Sequence, residues 1–276
     1  MADLGLDRHL VEAAKAVMLE LHRLLGEYAG DMALVGGWVP PLLLPDATES
    51  HVGSEDVDVV MNHRKVNEEA YGRVVAILEK AGYYQKDAGN PFQYFRDVAL
   101  PGSPESITVQ VDFLAGEYAG SGRSRRHQEF QELKARKARG ADLVFEEDVR
   151  VKLEGRLPNG DRDSVRIRIA GVTAFLTMKA EALKGRQKEK DAYDIYFCLR
   201  HYPGGVEAVL EAMRPLAGHG LVQGALEILA EKFETPEHWA AGAVARAYGA
   251  QGEEDARLRR DAVERVLFIV EGLRGR

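Results

Sequence analysis

Between Ser54 and Val60 two aspartates alternate with valines, Asp56-Val57-Asp58-Val59. Successive side chains of an extended strand point to opposite faces, so the valines would be buried and both carboxylates aimed the other way. Two like charges that close repel unless a cation lies between them. Magnesium suits the place, because a hard divalent ion takes carboxylate oxygens together with phosphate oxygens. The same alternation also fits a solvated strand edge. Upstream, the apolar run Met32 to Val35 breaks at Gly36-Gly37. Glycine lets the backbone turn tightly and a ligand come close. Residues from Trp38 would then open a helix whose first N–H groups attract phosphate, with Pro40-Pro41 in its first turn.

A third acidic residue fits the same chemistry. In Ser106 to Leu114, Ile107, Val109, Val111 and Phe113 share one face of a strand, and Thr108, Gln110 and Asp112 share the other. Three carboxylates on neighbouring strands suit two metal ions ~4 Å apart, an arrangement used for in-line phosphoryl displacement. Asp56 and Asp58 would ligate the metals. Asp112 would complete the second site and accept the proton of an attacking hydroxyl. As an exposed edge residue, Asp112 would do none of this.

Farther along, Met178-Lys179-Ala180-Glu181-Ala182-Leu183 is followed by Arg186 and by Lys190-Asp191-Ala192-Tyr193-Asp194-Ile195-Tyr196. Lys190 and Asp194 at i, i+4 can pair as ordinary helix partners, and Asp191 suits a helix N-terminus. Asp191 and Asp194 also share a face, which a merely stabilising surface does not require.

Gly36-Gly37-Trp38 followed by Ser54-Glu55-Asp56-Val57-Asp58-Val59 resembles the nucleotidyltransferases related to DNA polymerase beta. The later lysine–aspartate stretch is similar to the AbiEii branch, the nucleotidyltransferase toxins of type IV toxin–antitoxin systems. The resemblance covers roughly residues 34 to 199. It implies that Gly36 and Gly37, with Trp38 and Ser54 beside them, contact a nucleoside triphosphate, and that Asp56, Asp58 and Asp112 hold Mg2+, two ions in all. It implies further that Lys179 and Lys190 neutralise phosphate charge, while Asp191 and Asp194 organise the site or the acceptor. The implied activity moves a nucleoside monophosphate from an NTP to a hydroxyl of RNA such as tRNA, or of a protein. An antitoxin protein would be a further partner. Trp38 stands where many members of the family have Ser or Thr. Gly-Gly-Trp is also similar to the aminoglycoside and lincosamide nucleotidyltransferases, which would make the acceptor an antibiotic. A catalytically silent fold that binds a partner is the remaining alternative.

The elements that must position these residues can be read from periodicity. Residues 7 to 28 have the apolar spacing of one amphipathic helix, and residues 66 to 81 repeat it. A strand near 92 to 95, the Asp112 strand and a hairpin of 149 to 155 with 165 to 169 complete a mixed sheet flanked by helices. From Gly171 the pattern is helical to the end, with segments at 172–183, 191–200, 205–216, 221–233, 237–248 and 255–273. The expected fold is α+β, or α/β-like. A nucleotidyltransferase-type domain over residues 1–170 would precede an all-helical domain over 171–276.

Composition narrows the classes further. The 276 residues carry 37 Lys and Arg against 44 Asp and Glu, a net charge of −7, which argues against a protein that coats nucleic acid. The stretch 121–139 is nonetheless basic, with Arg123, Arg125, Arg126, Lys134, Arg136, Lys137 and Arg139. It reads either as a groove wall for triphosphate or RNA, or as a solvated helix. The single cysteine, Cys198, excludes an internal disulfide and lies in an apolar run that suits a packed thiol. No apolar stretch reaches membrane-spanning length, and the first residues are unlike a signal peptide, so a cytoplasmic protein without a membrane partner is expected.

Overall fold

The computed structural model describes residues 2, 4–62, 65–66, 68–87, 90–99, 106–115, 127–128 and 135–274. The chain divides into two compact units. One holds Leu6–Leu42 and Gly53–Ala170; the other holds Met1–Gly5, Leu43–Val52 and Gly171–Arg276. The break at Gly171 falls where the sequence turns helical. Residues 43–52, expected with the N-terminal domain, group with the helices.

The first unit is built on a mixed sheet. Helix α1 (Arg8–Leu24) starts where the Asp7 side chain accepts hydrogen bonds from the His9 and Leu10 amides, filling an N-cap. Its stripe of Ala13, Ala14, Val17, Met18 and Leu21 is buried, and the helix packs over the sheet. Strand β1 (Met32–Val35) ends in a 3-10 turn, Gly36–Trp38, which runs into a five-residue helix α2 (Val39–Leu43). Pro40 and Pro41 fall inside its first turn, where missing N–H groups cost nothing. Strand β2 (Asp56–Met61) pairs antiparallel with β1. Helix α3 (Glu68–Lys80) and strand β3 (Gln93–Val98) lead to β4 (Ile107–Ala115), which lies parallel to β2 and antiparallel to β3.

Two short strands follow, β5 (His127–Gln128) and β6 (Ala135–Lys137), the second parallel to the end of β4. The helix considered for 121–139 is therefore not what forms at these positions. Arg123, Arg125, Arg126 and Lys134 lie outside the described residues. The hairpin of β7 (Val149–Arg156) and β8 (Arg162–Ile169) joins the sheet through β8, which runs parallel to β1. Among the described residues the sheet has eight strands in the order β5-β6-β4-β2-β1-β8-β7, with β3 on β4.

The second unit is helical after residue 171: α4 (Val172–Gly185), α5 (Glu189–His201), α6 (Gly205–Met213), α7 (Gly220–Lys232), α8 (Trp239–Ala247) and α9 (Gly252–Arg274). Helix α5 is its axis. Every residue from Lys190 to Leu199 is buried, and α4, α6, α8 and α9 pack against it. Buried all round, α5 places Tyr193, Tyr196 and Phe197 in the core, each contributing about 1.5–3 kcal/mol by leaving water. Cys198 is fully buried in the same helix, and burial pushes its thiol well above the ordinary range. It is a packing group, not a nucleophile. No described helix is long and apolar enough to cross a membrane.

Candidate carboxylate site and a buried ion network

Strand register decides where the acidic residues go. β2 and β4 run side by side so that Asp58 is the partner of Asp112, and Asp56 the partner of Gln110. Val57 and Val59 on β2, with Val111 and Phe113 on β4, are fully buried. The alternation of the pleat therefore puts Asp56, Asp58 and Asp112 together on the other face. Asp112 is held by two side-chain amides, Gln93 Nε2 at 3.1 Å and Gln110 Nε2 at 3.1 Å, and is 8% exposed. Ser54 Oγ donates to Asp56 Oδ1 at 2.5 Å, and the Trp38 indole N–H donates to the Asp56 carbonyl at 3.0 Å. The indole itself is buried. Trp38 thus pins the glycine turn to the acidic strand.

Gly36 meets Asp58 directly. Its backbone is left-handed, with φ of 71°, and a Cβ there would lie 2.1 Å from Asp58 Oδ2. Only glycine leaves room for the carboxylate at this corner. Helix α2 is too short for its dipole to supply much of a phosphate site, so the glycine corner matters chiefly as the seat of Asp58.

The donor set fits a hard divalent cation: three carboxylates on one face of two adjacent strands, two of them direct neighbours. Among the described residues, no three His, Cys, Asp or Glu side chains form a finished cage, so a cation would have to draw the carboxylates in.

The lysine–aspartate stretch forms a separate cluster inside the helical unit. Lys179 Nζ on α4 lies 2.8 Å from Asp191 Oδ1 and 2.6 Å from Asp194 Oδ2 on α5. Lys190 Nζ lies 3.0 Å from both oxygens of Asp194. Arg186 reaches Asp191 through Nε at 2.8 Å and a second nitrogen at 3.2 Å, a bidentate fork. His51 Nε2 lies 3.0 Å from Asp194 Oδ1. Asp194 is completely buried and Asp191 nearly so, which is tolerable only because both are fully paired.

Burial alone would raise the Asp194 carboxyl, but Lys179 and Lys190 outweigh it and hold the group well below the usual carboxylate range. Burial likewise opposes the Lys179 charge, and Asp194 and Asp191 reverse that, keeping the ammonium above its ordinary value. Asp191 is held down by Lys179 and Arg186 against its own burial. For His51 burial wins over the pull of Asp194, and the ring stays neutral with its Nε2–H donating to the carboxylate. Three cations against two carboxylates leave the cluster one net positive charge. Lys179 and Lys190 are committed to the aspartates, while Arg186, 54% exposed, is the cation that meets solvent.

His51 and Glu49 were not marked by any motif. Each is a single polar residue in an irregular connector, and its partners stand more than a hundred residues away. Nothing local in the sequence announces them.

Comparison with family models, with curated protein sequences and with solved structures gives no match for this chain.

Proposed function

We propose that the chain is a magnesium-dependent nucleotidyltransferase of the AbiEii type, acting on an NTP and a hydroxyl of RNA, with tRNA as the first candidate. The reading is carried by one observation: Asp58 and Asp112 are register partners on parallel strands, with Asp56 two residues along the same face. The order of the motifs along the chain, glycine corner, alternating carboxylates, third aspartate, lysine–aspartate helices, supports it.

In this reading Asp56, Asp58 and Asp112 hold the cation, which when bound supplies positive charge to the triphosphate oxygens. The acceptor hydroxyl oxygen attacks the α-phosphorus, the bond to the β-phosphate oxygen breaks, and pyrophosphate leaves. Asp112 accepts the hydroxyl proton, with Gln93 and Gln110 fixing the orientation of its carboxylate. Gly36 seats Asp58, and Ser54 orients Asp56. The buried cluster around Asp194 holds α4 and α5 together as a rigid support and offers Arg186 as an exposed charge.

Purified protein incubated with α-labelled NTPs, magnesium and total tRNA should label the RNA, and Asp58→Ala should abolish the label. Labelling of an aminoglycoside or lincosamide alone would move the acceptor to the antibiotic class. Absence of label with every NTP and acceptor, from folded protein, would contradict the transferase reading.

A further inference from the structure

The connector between the glycine corner and the acidic strand has no regular structure from Leu44 onward, yet its polar side chains are firmly bonded. The chain leaves the sheet unit at Leu42 and re-enters it at Gly53, two residues from Glu55 and three from Asp56. Between these points it belongs to the helical unit. The His51 side chain is fully buried. It stacks on Tyr193 with ring centroids 5.1 Å apart and meets Phe197 edge-on at 4.8 Å. Its Nε2 bonds Asp194, the centre of the ion network. Glu49 accepts a hydrogen bond from the Tyr248 hydroxyl on the C-terminal side of α8, and another from His201 Nε2 at 3.0 Å. Leu44 is buried as well.

Resting on the transferase reading above, we propose that His51 and Glu49 are positioning residues. They pin the connector to α5 and to Tyr248, and thereby fix the two chain ends that carry the glycine corner and Asp56. The connector is short, so freedom gained in its middle must appear at its ends. No residue of it need touch substrate. Asp194 keeps both lysines when His51 is removed, so the loss of His51 loosens the connector without stranding a buried charge.

The test is hydrogen–deuterium exchange on the intact chain, paired with turnover. In His51→Ala the amides of 44–53 and of β2 should exchange about tenfold faster, while those of α4 stay at the wild-type rate. The kcat should fall by a similar factor. His51→Gln, whose amide can still donate to Asp194, should restore both. As a control, Leu226→Ala, a core truncation on α7, should lower the melting temperature without touching exchange in β2. Faster exchange confined to 44–53, or a kcat for His51→Ala equal to wild type, overturns the proposal. A wild-type chain without turnover, but with exchange spreading into β2 in His51→Ala, sinks the transferase reading alone and leaves the positioning role supported.

Discussion

Asp58 Oδ2 occupies the space that a side chain at residue 36 would need, 2.1 Å from where a Cβ would sit on Gly36. The glycine corner and the acidic strand are thus one device. The backbone at 36 is bent into a left-handed conformation, and the carboxylate of the neighbouring strand is seated in the bend.

Gly36→Ala should therefore damage activity and stability together. The left-handed backbone alone costs alanine roughly 1–2 kcal/mol, and Asp58 must also move away. Transfer of a labelled nucleotide should drop by at least about a hundredfold, because an ångström of displacement at a reacting group has that effect. Urea denaturation measures the first effect and the labelling assay the second. An alanine variant with wild-type transfer would separate Gly36 from the site.

Asp112→Asn should behave differently. It removes one of two adjacent carboxylates while preserving shape, and the two glutamines can re-orient to bond an amide. Without metal, stability should stay within about 0.5 kcal/mol of wild type or rise, since a like-charge neighbour of Asp58 is gone. Transfer should fall by two orders of magnitude or more, the usual range for loss of a positioned proton acceptor, about 10²–10⁴. Thermal melts with and without magnesium, beside the transfer assay, distinguish this from a folding defect.

Asp194→Ala should be the most destabilising change in the helical unit. It leaves Lys179 and Lys190 without their shared partner in the core, and breaking one member of a buried pair costs about 3–5 kcal/mol. The triple change of Lys179, Lys190 and Asp194 to methionine, methionine and leucine should recover part of that loss, because it removes the stranded charges too. Equilibrium denaturation of both variants checks the ordering. Equal stability of Asp194→Ala and wild type would show that the pairs add nothing to the fold.

Histidine burial sets the acid side of the stability profile. His22 is buried, its Nδ1 bonded to the Met18 carbonyl, and burial pushes its pKa down to about 4 despite that bond. The folded state thus keeps the ring neutral over a range where the unfolded chain, near 6.5, is protonated. The unfolded state binds more protons in that window, so stability is complete above pH 6.5 and is lost as pH falls toward 4. The loss from this residue amounts to about 3 kcal/mol. His51 acts in the same direction. Replacing His22 by Leu should flatten the profile between pH 6.5 and 4. An unchanged slope in denaturation midpoints across that range contradicts the assignment.

Much of this was legible in the chain because it is local. Alternation in Asp56–Val60 and Ile107–Phe113 places the carboxylates on one face whatever the neighbouring strand, and the burial of Val57, Val59, Val111 and Phe113 follows that alternation. The amphipathic spacing of α1 and the helices after Gly171 are likewise local properties. What periodicity does not carry is partnership. That Asp58 sits beside Asp112 depends on a parallel register between segments more than fifty residues apart. That residues 43–52 join the helices depends on Glu49 and His51 finding His201, Tyr248 and Asp194. The strands at 127–128 and 135–137 were hidden for the same reason. Their sequence is rich in Glu, Lys and Arg and locally suits a helix, while pairing with the end of β4 makes the latter a strand.

The most direct measurement is an electron paramagnetic resonance titration of Mn2+, standing in for Mg2+, against the protein with a non-hydrolysable NTP analogue. Wild type should remove the free-ion signal saturably, and Asp58→Asn and Asp112→Asn should each abolish or greatly weaken that uptake while remaining folded. Failure of wild type to bind the ion, or binding that neither substitution alters, would contradict the assignment of these carboxylates to a metal-dependent site.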